Sequence, residues 1–225
     1  MANKNIFVAC DVSSQEEILD LLELIHEDIS GIKIGLQYIT QRSPKDIREL
    51  LKFKKPIFYD GKFFDIKNTL VESVRSLEYL KVNYATVHLL NGLDALMAAN
   101  KIAKEINLNL LGVSVLTSFN DVDLNNLGFN NKMEDQVKRL IQIALDANLY
   151  GVICSPLEIR MIKKIAPNLK CFTPGIRMES TKDDQKRTMN ANEAIREGSD
   201  CLIIGRPITK GNPKKNIKHI LSSIE

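Results

Sequence analysis

Short runs of apolar and β-branched residues recur along the chain, and each is followed by a longer stretch in which apolar residues return every three or four positions. Eight such runs stand out: Ile6 to Cys10, Gly31 to Gly35, Pro56 to Tyr59, Tyr84 to Leu89, Asn109 to Leu116, Gly151 to Cys154, Lys170 to Phe172 and Cys201 to Ile204. Runs this short and this apolar predict strands buried on both faces, as in a parallel sheet covered by helices. Between them, Glu16 to His26 puts Ile18, Leu19, Leu22 and Ile25 on one helical face, and Asn68 to Leu80 does the same with Val71, Val74, Leu77 and Leu80. Ser13 and Ser14 ahead of the first helix, and Asn212-Pro213 ahead of the last, are helix-start signals.

No composition shift, linker or internal repeat divides the 225 residues, so residues 1–225 read as one domain. Eight strand-helix units in that length predict an α/β fold of the (β/α)8 TIM-barrel type, with the polar stretch Asn125 to Lys132 read as a loop after the fifth strand. The net charge of +3, from 31 basic and 28 acidic residues, points to neither nucleic acid nor an anionic membrane surface as a partner. Cys10, Cys154, Cys171 and Cys201 lie far apart, show no CxxC spacing and sit in or beside apolar runs, the pattern of small core residues in a reducing compartment. The first apolar run is too short for a signal peptide, and no run approaches the roughly 18 residues of a membrane helix. These features predict a cytoplasmic protein.

In such a barrel the chemistry lies at the C-terminal ends of the strands. Asp11 follows the first run, Lys33 lies in the second, Asp60-Gly61-Lys62 follows the third, His88 ends the fourth and Thr117-Ser118 follows the fifth. Thr173-Pro174-Gly175-Ile176-Arg177 and Gly205-Arg206-Pro207 close the seventh and eighth. If the third strand stays extended, Asp60 and Lys62 point to the same side. Asp65 is expected to open the next helix, with Thr69 four residues on along the same face. The alternative is structural: Asp65 caps a helix, and Asp60 and Lys62 form an exposed ion pair. Loops after strands seven and eight often bind phosphate, and here each couples glycine, which allows close backbone approach, with arginine, which can fork onto two phosphate oxygens. A phosphorylated small molecule is the expected ligand. His88 has no clustered His or Cys neighbours in sequence and reads as a strand-end hydrogen-bonding residue, so no metal ligand set is predicted.

The segment Asp60-Gly61-Lys62-Phe63-Phe64-Asp65-Ile66-Lys67-Asn68-Thr69 resembles the signature of the orotidine 5'-monophosphate decarboxylase family. Ala9-Cys10-Asp11, Ile32-Lys33-Ile34-Gly35, Val115-Leu116-Thr117-Ser118, Cys154-Ser155-Pro156, Thr173 to Arg177, Asp184-Gln185-Lys186-Arg187 and Ile204 to Thr209 extend the likeness, in order, over nearly the whole chain. The resemblance implies a cofactor-free lyase acting on a nucleotide, with shared sites in a homodimer. Its catalytic tetrad would be Lys33, Asp60, Lys62 and Asp65, the last supplied by the neighbouring subunit. Asp11 and Lys33 would bind ribose, as would the partner's Thr69. Thr117 would hold the pyrimidine, and Pro174, Arg177, Gln185, Gly205 and Arg206 would surround the phosphate.

The implied reaction, loss of carbon dioxide from C6 of the ring, leaves a carbanion without a conjugated acceptor. A fixed positive charge and a ready proton are therefore required, and Lys62 can supply both. Asp60 beside the substrate carboxylate would repel it by roughly 4 kcal/mol at about 4 Å and an effective dielectric near 20. The chain departs from the family pattern at Phe64 (usually histidine), Lys67 (usually proline), Leu89-Leu90-Asn91 and Met189-Asn190. Magnesium-dependent sugar-phosphate enzymes of the same superfamily also resemble the DxKxxD pattern, but tend to carry an acidic metal ligand where this chain has Lys33. A phosphoribosyl-binding protein without catalysis is the reading from a different class, and Asp60, Lys62 and Asp65 speak against it.

Overall fold

Side-chain alternation along the strands separates two apolar populations, one turned toward the helices and one turned inward. In the computed structural model, which describes residues 5–12, 14–178 and 187–224, the strands are β1 (Ile6–Ala9), β2 (Gly31–Gly35), β3 (Ile57–Phe63), β4 (Tyr84–His88), β5 (Asn109–Val113), β6 (Gly151–Ile153), β7 (Lys170–Thr173) and β8 (Cys201–Ile204). Each pairs in parallel with its sequence neighbour, and β1 pairs with β8. The sheet thus closes into the expected eight-stranded barrel with helices outside, a single domain.

Ile6, Val8, Cys10, Ile32, Ile34 and Ile57 belong to the large core between sheet and helices, while Phe7, Ala9, Phe58, Leu111, Phe172, Cys201 and Ile203 form the inner core of the barrel. The inner floor is aromatic: the rings of Phe7 and Phe172 lie edge to face with centroids 5.9 Å apart, and those of Phe7 and Tyr84 are 5.5 Å apart. Gly31 is the consequence, since a Cβ there would sit 2.2 Å from the Phe7 ring. All four cysteines are free and buried, as expected of core residues.

Helix starts follow the local sequence. Ser14 and Glu17 form a reciprocal capping box at the head of Gln15–Ile25, and Asn212 caps Pro213–Ser223 with Pro213 in its first turn. Ser13 lies outside the described residues. Three expectations are corrected. The helix expected over 68–80 is α-helical over Lys67–Ser76 and tightens to a 3-10 turn over Leu77–Leu80. Strand five stops at Val113, because the chain then leaves the ladder to form the barrel mouth. The stretch read as loop from Asn125 is helical to Asn126, within Asp121–Asn126, whose Asn120-Asp123 capping box was hidden in a polar segment. Among the described residues, no helix is long and apolar enough to cross a membrane.

Candidate active site

Two residues beyond the aromatic floor, the same inward-facing positions turn polar. On β2 this position is Lys33 and on β3 Asp60, both less than a tenth exposed. The Lys33 ammonium lies 3.3 Å from Asp60 Oδ2 and 3.4 Å from Asp11 Oδ1, while Lys62 Nζ approaches the same Asp60 Oδ2 at 2.8 Å. Charge therefore alternates Asp11, Lys33, Asp60, Lys62 across the mouth. Burial pushes the Asp60 carboxyl up, but Lys33, Lys62 and hydrogen bonds from Lys62 and Thr86 outweigh it and hold the group below the usual carboxylate range. Burial likewise pushes Lys33 down, and the carboxylates of Asp60 and Asp11 more than reverse it. Lys33 and Asp60 are thus a buried pair, flanked by the partly exposed Lys62 and the exposed Asp11, rather than an exposed surface pair.

The reason Asp60 and Lys62 meet differs from the simple alternation expected of an extended strand. β3 pairs regularly with β4 through Tyr59 and Ala85, then resumes at Phe63 and Val87, so Asp60, Gly61 and Lys62 stand opposite Thr86 alone. Lys62 adopts a left-handed backbone with φ of 47°, rare for a residue with a side chain. The bulge re-aims Lys62 into the mouth, a use to which bulges beside active sites are often put.

Asp65 also departs from expectation. It does not open the helix: Ile66 is the N-cap of Lys67–Ser76, the Asp65 carboxylate accepts from the N–H of Ile66 at 2.7 Å, and the Asp65 N–H donates to Asn91 Oδ1. The helical spacing expected to join Asp65 and Thr69 on one face therefore does not apply, because Asp65 precedes the first turn. Both are exposed, and neither lines the cavity of their own chain. Lys67, a departure from the family pattern, is paired with Asp94 at 2.9 Å and is not an uncompensated charge.

Lys33, Asp60 and Lys62 line a cavity of about 310 Å³ together with Thr117, Pro174, Arg177, Gly205 and Arg206, all singled out in the sequence. Asp11 lines it too. Gly175 has a φ of +79°, the conformation that only glycine adopts freely, so the turn that carries Arg177 over the mouth depends on it. Apolar walls come from Ala9, Val113, Ile153 and Ile203. A flat apolar ring with a polar edge and a distal anion fits this distribution. Gln185 lies outside the described residues.

His88 is half-buried at the end of β4, its Nδ1 accepting the Leu90 N–H at 3.3 Å and its ring against Phe64. Burial and nearby Lys62 push its pKa down. The sequence does not single out Thr86, and it offers Arg187 only within Asp184-Gln185-Lys186-Arg187, with no role assigned. Thr86 is fully buried and bridges Asp60 and Lys62; its inward position two residues before His88 was the available signal. Arg187 forms a buried ion pair with Glu158 and donates to the carbonyls of Val115 and Leu116, linking the segment after β7 to the loop after β5. The pair joins residues 29 apart, and nothing local announces it.

Comparison with known proteins places this barrel in a family. The model of the orotidine 5'-phosphate decarboxylase / HUMPS family matches residues 4–220. An orotidine 5'-phosphate decarboxylase of Wolbachia pipientis subsp. Culex pipiens is 36% identical over 221 residues, covering 97% of this chain and 98% of its own. One from Legionella pneumophila (strain Corby) is 37% identical over 225 residues, with the same coverage. The crystal structure of orotidine 5'-phosphate decarboxylase from Lactobacillus acidophilus superposes with a TM-score of 0.86 at 28% identity, over 99% of this chain and 100% of that one. With the barrel, the buried charges and a family match along nearly its full length, the chain belongs to the orotidine 5'-phosphate decarboxylase / HUMPS family.

Proposed function

We propose that the protein converts orotidine 5'-monophosphate to uridine 5'-monophosphate, the last step of de novo pyrimidine nucleotide synthesis, without a cofactor and with Lys62 as the proton donor. The observation that carries this reading is Asp60, a buried carboxylate whose Oδ2 meets the ammonium groups of both Lys33 and Lys62, in the same cavity as Arg177 and Arg206. Arg177, Arg206, Gly205 and Pro174, with Gln185, receive the phosphate; Asp11 and Lys33 receive the ribose hydroxyls; Thr117 receives the pyrimidine edge. Binding energy from the phosphate then holds C6 against Lys62.

The bond between C6 and its carboxylate breaks with both electrons left on C6, and carbon dioxide departs into the apolar walls. The Lys62 ammonium stabilises the developing carbanion and transfers a proton to C6, and solvent restores the lysine. Asp60 holds the ammonium in place through the 2.8 Å contact. Lys33 stands between Asp11 and Asp60, so fixed positive charge occupies the place where a divalent cation would otherwise bridge two carboxylates. That arrangement favours the metal-free reaction over the magnesium-dependent activities of related barrels.

A homodimer completes the site in this reading. Asp65 and Thr69 lie outside their own cavity, and Asp65 is flanked by Phe64 and Ile66, 63% and 74% exposed, with Leu90, Leu93 and Met97 also exposed on the following segments. An apolar patch carrying a carboxylate suits burial against a second copy, with the partner's Asp65 closing the tetrad and the partner's Thr69 reaching the ribose. A cytoplasmic location is also inferred, supported by four free, buried thiols. The test is loss of ultraviolet absorbance from orotidine 5'-monophosphate with EDTA present. Turnover is expected to survive the chelator and to vanish in Lys62→Ala; a folded wild type without turnover, or one that needs magnesium, overturns the reading.

A further inference from the structure

The β3 bulge raises a question the charged residues do not answer, namely what holds Lys62 in a left-handed backbone against Asp60. The regular ladder does not, since three residues of β3 face one of β4. The Lys62 N–H instead donates to the side-chain hydroxyl of Thr86 at 2.8 Å. A hydroxyl has a single hydrogen, and that of Thr86 is directed to Asp60 Oδ1 at 2.9 Å. The two oxygens of Asp60 are thereby divided: Oδ1 takes the Thr86 hydroxyl, and Oδ2 takes the ammonium groups of Lys33 and Lys62. Rotation of the carboxylate would break the threonine bond and move Oδ2 away from both lysines.

Thr86 itself does not line the cavity and is fully buried, so it acts from behind the reacting groups. Its backbone is engaged on the other side, paired in register with Leu111 of β5, which fixes the hydroxyl relative to the rest of the barrel. β-Branching further restricts the side chain at χ1.

We propose that Thr86 is a positioning residue for the reaction, its one hydroxyl clamping the backbone of Lys62 and the carboxylate of Asp60 in the relative geometry that proton transfer needs. The proposal rests on the decarboxylase reading above for its kinetic consequence, but not for its structural one. Thr86 contributes chiefly to the chemical step, because the groups it holds are Asp60 and Lys62, while Lys33 on the ribose side keeps Asp11 as a second partner at 3.4 Å.

Thr86→Val preserves the branched shape and deletes the hydroxyl. With orotidine 5'-monophosphate, kcat is expected to fall about tenfold or more while KM stays within about twofold, the pattern of an interaction made only in the transition state. Thr86→Ser, which restores the hydroxyl on a smaller side chain, should recover most of the loss. If Thr86→Val does not fold, Thr86→Ala is read by the same two quantities. A crystal structure of the folded variant should show Lys62 moved off Asp60 or out of its left-handed conformation. Unchanged kcat, a KM that rises in step with the loss, no recovery with serine, or a variant structure that retains the Lys62-Asp60 contact and backbone would each overturn the proposal. Absence of turnover in the wild type refutes the decarboxylase reading instead, and the structural comparison then decides the role of Thr86 on its own.

Discussion

The floor and the mouth of the barrel are built on the same strands, two residues apart, yet obey opposite rules. Tyr84 gives way to Thr86 on β4, Phe58 to Asp60 on β3 and Gly31 to Lys33 on β2, while Asp11 follows just past the end of β1. At about 3.3 Å per residue, the step from interlocked rings to buried charge is under about 7 Å. In the floor each ring finds apolar neighbours without a directional demand, and burial is favourable in itself. In the mouth each charge is costly to bury and is tolerated only because a partner of opposite sign and a hydrogen bond accompany it. Apolar packing in the floor and paired charges in the mouth are thus held by the same strands.

This contrast can be tested by breaking either layer. The largest effect is expected from pairing two inactive proteins. Lys62→Ala should lose about 10⁴-fold in kcat, near the upper end for loss of a positioned proton donor, and Asp65→Asn should also be severely impaired. If the partner completes each site, co-refolding the two variants restores activity, because one mixed-dimer site then has both Lys62 and the partner's Asp65. Recovery no greater than the sum of the separate variants would show that each chain works alone.

A cut in the floor should do the reverse. Phe7→Ala removes a ring at the centre of the inner core, and about 3–5 kcal/mol of unfolding free energy should be lost in urea titration. The remaining folded enzyme should keep kcat and KM close to wild type, since Phe7 does not line the cavity. A large change in kcat would show that the two layers are less separable than their contacts suggest.

Arg206→Ala probes the proposed phosphate contact. Loss of a charge-assisted contact to phosphate is worth about 1.5–3 kcal/mol, so KM should rise by about 10- to 150-fold. A truncated substrate without phosphate should lose most of its sensitivity to the change. Equal loss with both substrates would place Arg206 elsewhere than at the phosphate.

The smallest effect is on the pH dependence of stability. Because Asp60 titrates below the usual carboxylate range, its ionised form stabilises the fold above about pH 3.9, the unfolded value, and that contribution is lost as pH falls through the lower folded value. Asp60→Asn should flatten the acid side of the curve of unfolding free energy against pH. An unchanged slope would mean that the lysines do not govern this carboxylate.

His88 and Thr86 show where legibility ended. Both occupy inward positions of β4, but His88 ends its strand and drew notice, whereas Thr86 lay inside an apolar run and looked like an ordinary β-branched strand residue. Asp65 and Thr69 were recognised from the family pattern, but the helical spacing expected to join them did not survive the discovery that the chain turns at Ile66. Pattern identified the residues; backbone direction decided how they were held.

The alternation of apolar runs with amphipathic stretches determined eight parallel strands with outer helices, since the two periods bury their faces only when strands and helices form separate layers. Residue chemistry at the strand ends marked Lys33, Asp60, Lys62, Arg177 and Arg206. Only the tertiary structure decided that β3 bulges opposite Thr86, that a single carboxylate oxygen receives two ammonium groups, and that Arg187 after β7 pairs with Glu158 after β6. Such facts depend on register between strands and on side chains distant in sequence meeting at one point. Local propensity carries no record of either, because their energy exists only once the barrel has closed.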